Sequence, residues 1–160
     1  LAFSRGDSGE EFTLIDAKKF IKPLIKERKR LNHNVILNLD NIGADNIKFK
    51  CKALAMSRAI NNLLSNAEKY SNETLIRITV NKNTISFIVE DSGKGIPKNL
   101  RQKAIKPFER LDTSRNQNEG SSAGLGLAIV SDIARSHGGK LILGHSNNLG
   151  GLKAEIQIPL

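Results

Sequence analysis

In N-L-L-S-N-A-E-K-Y, residues 62–70 of a 160-residue chain, apolar and polar positions separate at helical spacing. At 100° per residue, Ala53, Met56, Ile60, Leu64 and Ala67 fall on one side of a helix expected over 52–70, and Asn62, Asn66 and Lys69 fall on the other. The apolar side is a core face. The polar side is either an ordinary solvated stripe or a ligand-binding one. Asparagine is a mediocre helix former, so two amides one turn apart, followed by a lysine, suit a helix that trades propensity for ligand contact. An amide oxygen also offers Mg²⁺ a hard neutral ligand without adding negative charge beside a triphosphate.

Two further motifs follow, D-S-G-K-G-I-P at 91–97 and S-A-G-L-G-L at 122–127. In the strand expected before the first of them, Ile85, Phe87 and Val89 share one face and Asp91 falls in the same phase, so a carboxylate points toward the core. Such a group needs a donor. That donor is either a backbone N–H of the following turn or a ligand, because Asp before Ser-Gly is a common turn former. The third motif opens a helix with Gly124 and Gly126, which let phosphate approach unpaired N–H groups at a helix start. Any one glycine-rich piece is weak; order and spacing together describe a Mg-nucleotide site.

Around these motifs the elements read as follows. Residues 6–11 are rich in glycine, serine and acid and read as a linker, and 1–5 as the tail of an element whose body lies upstream. Asp16 can cap a helix to about Arg30, with Pro23 as a local irregularity. Strands are expected at 35–39, 47–50, 74–81, 84–90, 140–146 and 152–158, with a hairpin around Lys82 and Asn83. A helix over 124–137 closes at Gly138 and Gly139, and 107–122 is a long functional loop. Strands and helices mixed without strict βαβ alternation imply one layer of helices on one mixed sheet, a two-layer α/β fold.

Composition narrows the function classes. The chain has no run of about 18 apolar residues and no secretory signal pattern. A single cysteine, Cys51, cannot form an internal disulfide and points to the cytosol. The formal charge of +9 suggests nucleic acid. However, its densest run, Lys26 to Arg30, closes a helix where cations complement the dipole, and basic-aromatic interleaving is missing. No nucleic-acid partner is expected; a triphosphate and an acidic protein partner explain the same excess.

The three motifs, in this order, resemble the ATP-binding catalytic domain of a sensor histidine kinase, within the superfamily shared with type II topoisomerases, Hsp90 and MutL. The resemblance runs from about residue 10 to the C-terminus and implies a Bergerat-type two-layer α/β sandwich, its mixed sheet covered by helices on one face. It implies ATP and Mg²⁺ as cofactors. Carried over by motif, Asn66 is the metal ligand, Asn62 a second polar contact to metal or water, Lys69 a phosphate contact, and Tyr70 a flank of the nucleotide. Asp91 would accept from the adenine amine, Gly93 and Gly95 let backbone pass close to the purine, and Ile96 line the slot. Gly124, Leu125, Gly126 and Leu127 would form the phosphate-facing turn.

K-P-F-E-R-L-D at 106–112 is similar to the kinase phenylalanine box. Phe108 is then a core anchor, a lid hinge or both, and Arg110 reaches the terminal phosphate, with Arg115 a weaker candidate. Asn62, Lys69 and Arg110 form the implied catalytic set. The chain departs from the usual G-T-G-L-G-L, with Ser122 and Ala123 in place of the first Gly-Thr pair. The C-terminal G-G-L-K-A-E-I-Q-I-P resembles EnvZ-like osmosensing kinases.

None of His33, His137 or His145 sits in a phosphoacceptor motif, so all three read as structural. The resemblance therefore implies residues 1–11 as the end of an upstream dimerisation helix and linker, and 12–160 as the catalytic domain. Its partners would be the upstream dimerisation and histidine phosphotransfer domain and a response regulator receiver domain. The whole protein is expected to be a membrane-anchored homodimer, with this domain on the cytoplasmic side of a bacterial inner membrane.

Overall fold

A computed structural model describes residues 9–43, 46–106 and 122–160, with backbone alone for 122–125. Five strands form the main sheet: β2 (Val35–Asn38), β4 (Thr74–Val80), β5 (Thr84–Asp91), β7 (Leu152–Pro159) and β6 (Lys140–His145), in the spatial order β2-β4-β5-β7-β6. The sheet is mixed: β2 runs parallel to β4, and the other pairs are antiparallel. Helices α1 (Ala17–Arg30), α2 (Ala53–Tyr70) and α4 (Ser122–Ser136) supply the second layer, and a short α3 (Arg101–Ile105) follows the glycine loop. The expected two-layer α/β sandwich is the fold observed.

Strand alternation decides which sheet face the helices cover. Ile76 and Ile78 of β4, Ile85, Phe87 and Val89 of β5, and Ala154, Ile156 and Ile158 of β7 are buried against Met56, Ile60, Leu64 and Ala67 of α2 and Val130, Ile133 and Ala134 of α4. The apolar face expected for α2 is thus the core face, although Ala53 is only half-buried. Cys51 is buried too, and burial pushes its thiol up to about 12, so it stays protonated and inert.

Local capping follows the sequence. The Asp16 carboxylate accepts from Lys19 N at 3.0 Å and starts α1, which continues unbroken through Pro23. That helix ends on Asn32 at φ 65°, with His33 N donating to Arg28 O at 3.1 Å. Likewise α4 ends on Gly138 at φ 78°, with Gly139 N donating to Ala134 O at 2.9 Å.

Neither the short α3 nor β1 was expected. β1 (Thr13–Asp16) pairs antiparallel with β3 (Lys48–Cys51) as a separate two-stranded sheet. Its four residues show no alternating burial, so its partner strand, not its own pattern, creates it. Just before it, Glu10, within the stretch read as linker, accepts from Leu54 N at 2.7 Å and Ala55 N at 3.0 Å and so caps α2. His137 fits the structural reading. Its Nδ1 lies 2.8 Å from Ile133 O, and its Nε2 accepts from Lys52 N at 3.0 Å, which fixes the tautomer with hydrogen on Nδ1. His33 Nε2 lies 3.7 Å from Glu68 Oε1, and His145 is exposed.

A methyl group at Gly139 would stand 1.9 Å from Gln157 O, whereas one at Gly144 would meet nothing within 4 Å. Gly139→Ala is therefore expected to cost about 3 kcal/mol or more, and Gly144→Ala to stay within about 0.5 kcal/mol of the parent. Denaturant melts of the two variants, run side by side, check both values.

Candidate functional site

The C-terminal half of α2 is where the motifs converge. Asn62 and Asn66 are half-buried, yet among the described residues their side-chain amides form no hydrogen bond, while Lys69 is exposed with Nζ 5.5 Å from the Tyr70 ring centre. The neighbouring Asn61 points elsewhere, its carbonyl and Oδ1 accepting from Arg28 at 3.1 and 3.3 Å. Arg28 also pairs with Glu68 at 2.6 Å, so α1 locks the back of α2 and leaves the Asn62–Asn66 side outward. Two half-buried amides without protein partners among the described residues are open to water, to a hard cation or to a polyphosphate.

The glycine loop packs onto the end of this helix. Ser92 N donates to Glu73 O at 3.2 Å, and Glu73 N donates to Ser92 Oγ at 3.2 Å. A side chain at Gly93 would stand 2.7 Å from Tyr70 O, so that position must stay bare for loop and helix to meet. Gly95, at φ 71°, lies against Gly151 on the other side. Ile96 is partly buried on the core.

Asp91 is 6% exposed at the end of β5, in the phase the strand predicts. Its Oδ1 accepts from Gly93 N at 2.9 Å, the turn partner that the sequence left open, and also from Leu152 N at 3.1 Å. Among the described residues Oδ2 accepts nothing. Burial raises the Asp91 carboxyl above the ordinary aspartate range, and the two backbone N–H groups only partly offset it.

The sequence joins β6 and β7 through Gly150 and Gly151 but gives no sign of what that connection packs on: Gly151 N donates to Asp91 O at 2.9 Å, and a side chain at Gly151 would stand 2.3 Å from Asp91 Oδ1. A glycine pair ahead of a strand carries no local sign that a carboxylate far back in the chain rests on it.

The third motif forms the start of α4, as expected, with Gly124 and Leu125 in its first turn; Leu125's side chain lies outside the described residues. Gly126 has nothing within 4 Å of a would-be side chain, and Leu127 is buried in the core, so it anchors the helix. Helices α2 and α4 pack side by side, which sets this turn beside the Asn62–Asn66 helix. Phe108, Arg110 and Arg115 lie outside the described residues.

A raised pKa means that the ionised Asp91 carboxylate costs the folded state stability above that pKa, and that the cost vanishes as pH falls through it. Asp91→Asn, which removes the charge and keeps an acceptor, is therefore expected to melt at or above the parent temperature at pH 7. The difference should shrink as the pH is lowered. Thermal melts of both proteins from pH 7 to pH 4 check the sign.

With this geometry in view, residues 51–160 match the model of the histidine kinase-, DNA gyrase B- and HSP90-like ATPase family. The sensor protein RstB of Escherichia coli is 41% identical over 106 residues, which cover 66% of this chain and 24% of RstB. A putative NtrY-like sensor histidine kinase of Rickettsia felis is 31% identical over 147 residues, covering 89% of this chain and 23% of that protein. The chain thus spans about a quarter of the length of these relatives. Among solved structures, the mycobacterial sensor histidine kinase MprB superimposes with a TM-score of 0.74 at 23% identity, over 93% of this chain and 97% of that one. Fold, motif order and these matches agree: the chain belongs to the histidine kinase-, gyrase B- and HSP90-like ATPase family.

Proposed function

We propose that this chain holds Mg-ATP for transfer of the γ-phosphoryl group to a histidine on a dimerisation domain outside it, for relay to a response regulator receiver domain. The observation that carries the reading is Asp91, a carboxylate 6% exposed whose Oδ1 is held by two backbone N–H groups and whose Oδ2 accepts nothing among the described residues, set between the end of α2 and the β6–β7 turn. Oδ2 is not buried out of reach, so it is an acceptor open to the exocyclic amine of adenine. Gly93 and Gly95 keep side chains away from the base, and Ile96 offers it an apolar wall. Asn66 and Asn62 would hold Mg²⁺, which supplies charge neutralisation on the triphosphate, and Lys69 and Arg110 would contact phosphate oxygens. Tyr70 flanks the nucleotide.

The chain's own chemistry in this reading is positioning and charge stabilisation, with the acceptor imidazole brought from elsewhere. Hydrolytic relatives use a glutamate where Asn62 stands to activate water. An amide cannot serve as that base, which favours transfer over hydrolysis. Among the described residues no helix is long and apolar enough to cross a membrane. In this reading the full protein is a membrane-anchored homodimeric receptor with this domain on its cytoplasmic side.

Titration calorimetry of ATP with and without Mg²⁺ tests the site. Asn66→Ala is expected to weaken Mg-ATP at least about tenfold, about 1.4 kcal/mol, without lowering the melting temperature, because the half-buried amide makes no hydrogen bond among the described residues that the fold would lose. Equal affinity in variant and parent would remove Asn66 from the site. GTP is expected to bind poorly to the parent, and comparable ATP and GTP affinity would contradict the role of Asp91.

The isolated chain is expected to bind ATP but neither label itself nor turn ATP over appreciably. A dimeric helical domain bearing the acceptor histidine should restore transfer in trans. Stoichiometric phosphate on His33, His137 or His145 by mass spectrometry, or steady phosphate release, would sink this expectation.

A further inference from the structure

The residue before Asp91 is the most deeply buried acid among the described residues. Glu90 is 1% exposed and points to the opposite face of the sheet from Asp91. Its Oε2 accepts from Arg77 Nε at 2.8 Å, and its Oε1 accepts from Ser146 Oγ at 2.9 Å. Asn148 Nδ2 reaches both oxygens, at 3.2 and 3.3 Å. Burial acts to raise this carboxyl, but the Arg77 guanidinium and the Ser146 and Asn148 donors outweigh it and hold Glu90 below the ordinary glutamate range.

Ser146 and Asn148 belong to the turn between β6 and β7, the same turn whose far end holds Asp91. That turn is internally closed. Gly150 N donates to Ser146 O at 2.8 Å, Ser146 N to Gly151 O at 2.8 Å, and Leu149 N to Ser146 Oγ at 2.9 Å. Consecutive residues of β5 thus grip one turn from the two faces of the sheet. Glu90 takes its side-chain donors, while the Asp91 backbone carbonyl takes Gly151 N at the end of the turn and Asp91 Oδ1 takes N–H of the next residue, Leu152, the first of β7.

We propose that Glu90 is a positioning residue for base recognition: with Arg77, Ser146 and Asn148 it fixes residues 146–151, and the fixed turn sets the Asp91 carboxylate so that Oδ2 meets the adenine amine. The proposal rests on the reading of Asp91 as the adenine acceptor. Its consequence is specific. Loosening the turn lets the Asp91 carboxylate rotate, which harms contact with the base and leaves the metal and phosphate contacts of α2 and α4 in place. In Glu90→Gln one of the two acceptor oxygens becomes an NH₂ that faces either Arg77 or Ser146, with Asn148 beside both, and the charge that holds the guanidinium is lost, so the grip weakens with little change in volume.

The test compares parent and Glu90→Gln chains for binding of ATP, inosine triphosphate, which lacks the 6-amino group, and Mg-tripolyphosphate, which lacks the base. ATP affinity is expected to fall about fivefold, while inosine triphosphate and tripolyphosphate stay within about twofold, so the preference for ATP narrows. A parent that binds ATP and inosine triphosphate alike would instead defeat the adenine reading of Asp91 itself. A parent with a clear preference, which Glu90→Gln leaves intact, would overturn the positioning role alone. So would an equal loss for all three ligands, which marks a merely structural residue. Should Glu90→Gln fail to fold, Asn148→Ala, at an exposed turn position, carries the same base-specific expectation with a smaller change. No change, or a loss shared by all three ligands, overturns the proposal there too.

Discussion

Two carboxylates buried on consecutive residues of one strand are the constraint around which this domain is arranged. Glu90 and Asp91 are 1% and 6% exposed, and they point to opposite faces of the central strand β5. Either one, ionised and unpaired, would cost several kcal/mol, so donors must come from elsewhere in the chain. On one face they come from Arg77 of β4 and from the β6–β7 turn; on the other they come from the glycine loop and from Leu152 at the start of β7, the residue after that turn. The strand order β4-β5-β7-β6 places both donor sources within reach. The sheet topology and the binding site are therefore parts of one arrangement, since moving β7 away from β5 would strand both acids.

Local periodicity exposes part of this and hides the rest. The core face of α2, the inward phase of Asp91 and the cap at Asp16 all follow from spacing within a single element, and they are legible in the chain. The same strand alternation puts Glu90 on the face away from the helices, where a charged residue is expected to meet water. Its burial comes from partners 13, 56 and 58 positions away, and no window of sequence carries that information. β1 was illegible for a related reason: its four residues are a strand only because β3 lies alongside. That Asn62 and Asn66 have no partner among the described residues could likewise not be read, since an amide's partners are set by packing, here by Arg28 drawing on Asn61 and Glu68 on the neighbouring face of the helix.

The two acids also differ in a way that bears on function. Glu90 is met by a guanidinium and by side-chain donors and is held below the ordinary range, whereas Asp91 is met by two backbone N–H groups and is raised. Burial raises both carboxyls, and donor supply separates them: the protein meets Glu90 with a guanidinium and side-chain donors, whereas among the described residues only one oxygen of Asp91 receives donors, both of them neutral backbone N–H groups. A fold under pressure for stability alone would complete both sites or replace Asp91 with an apolar residue. In the proposed reading, an acid with one oxygen that accepts nothing among the described residues, beside glycines whose bare backbone packs closely around its other oxygen, is a site that a ligand bringing an N–H would complete. Adenine brings one on its exocyclic amine; a purine with a carbonyl at that position brings an acceptor and would oppose the carboxylate. Selectivity for the base then follows from an incomplete hydrogen-bond inventory, and its sharpness depends on how firmly the β6–β7 turn keeps that inventory from completing itself.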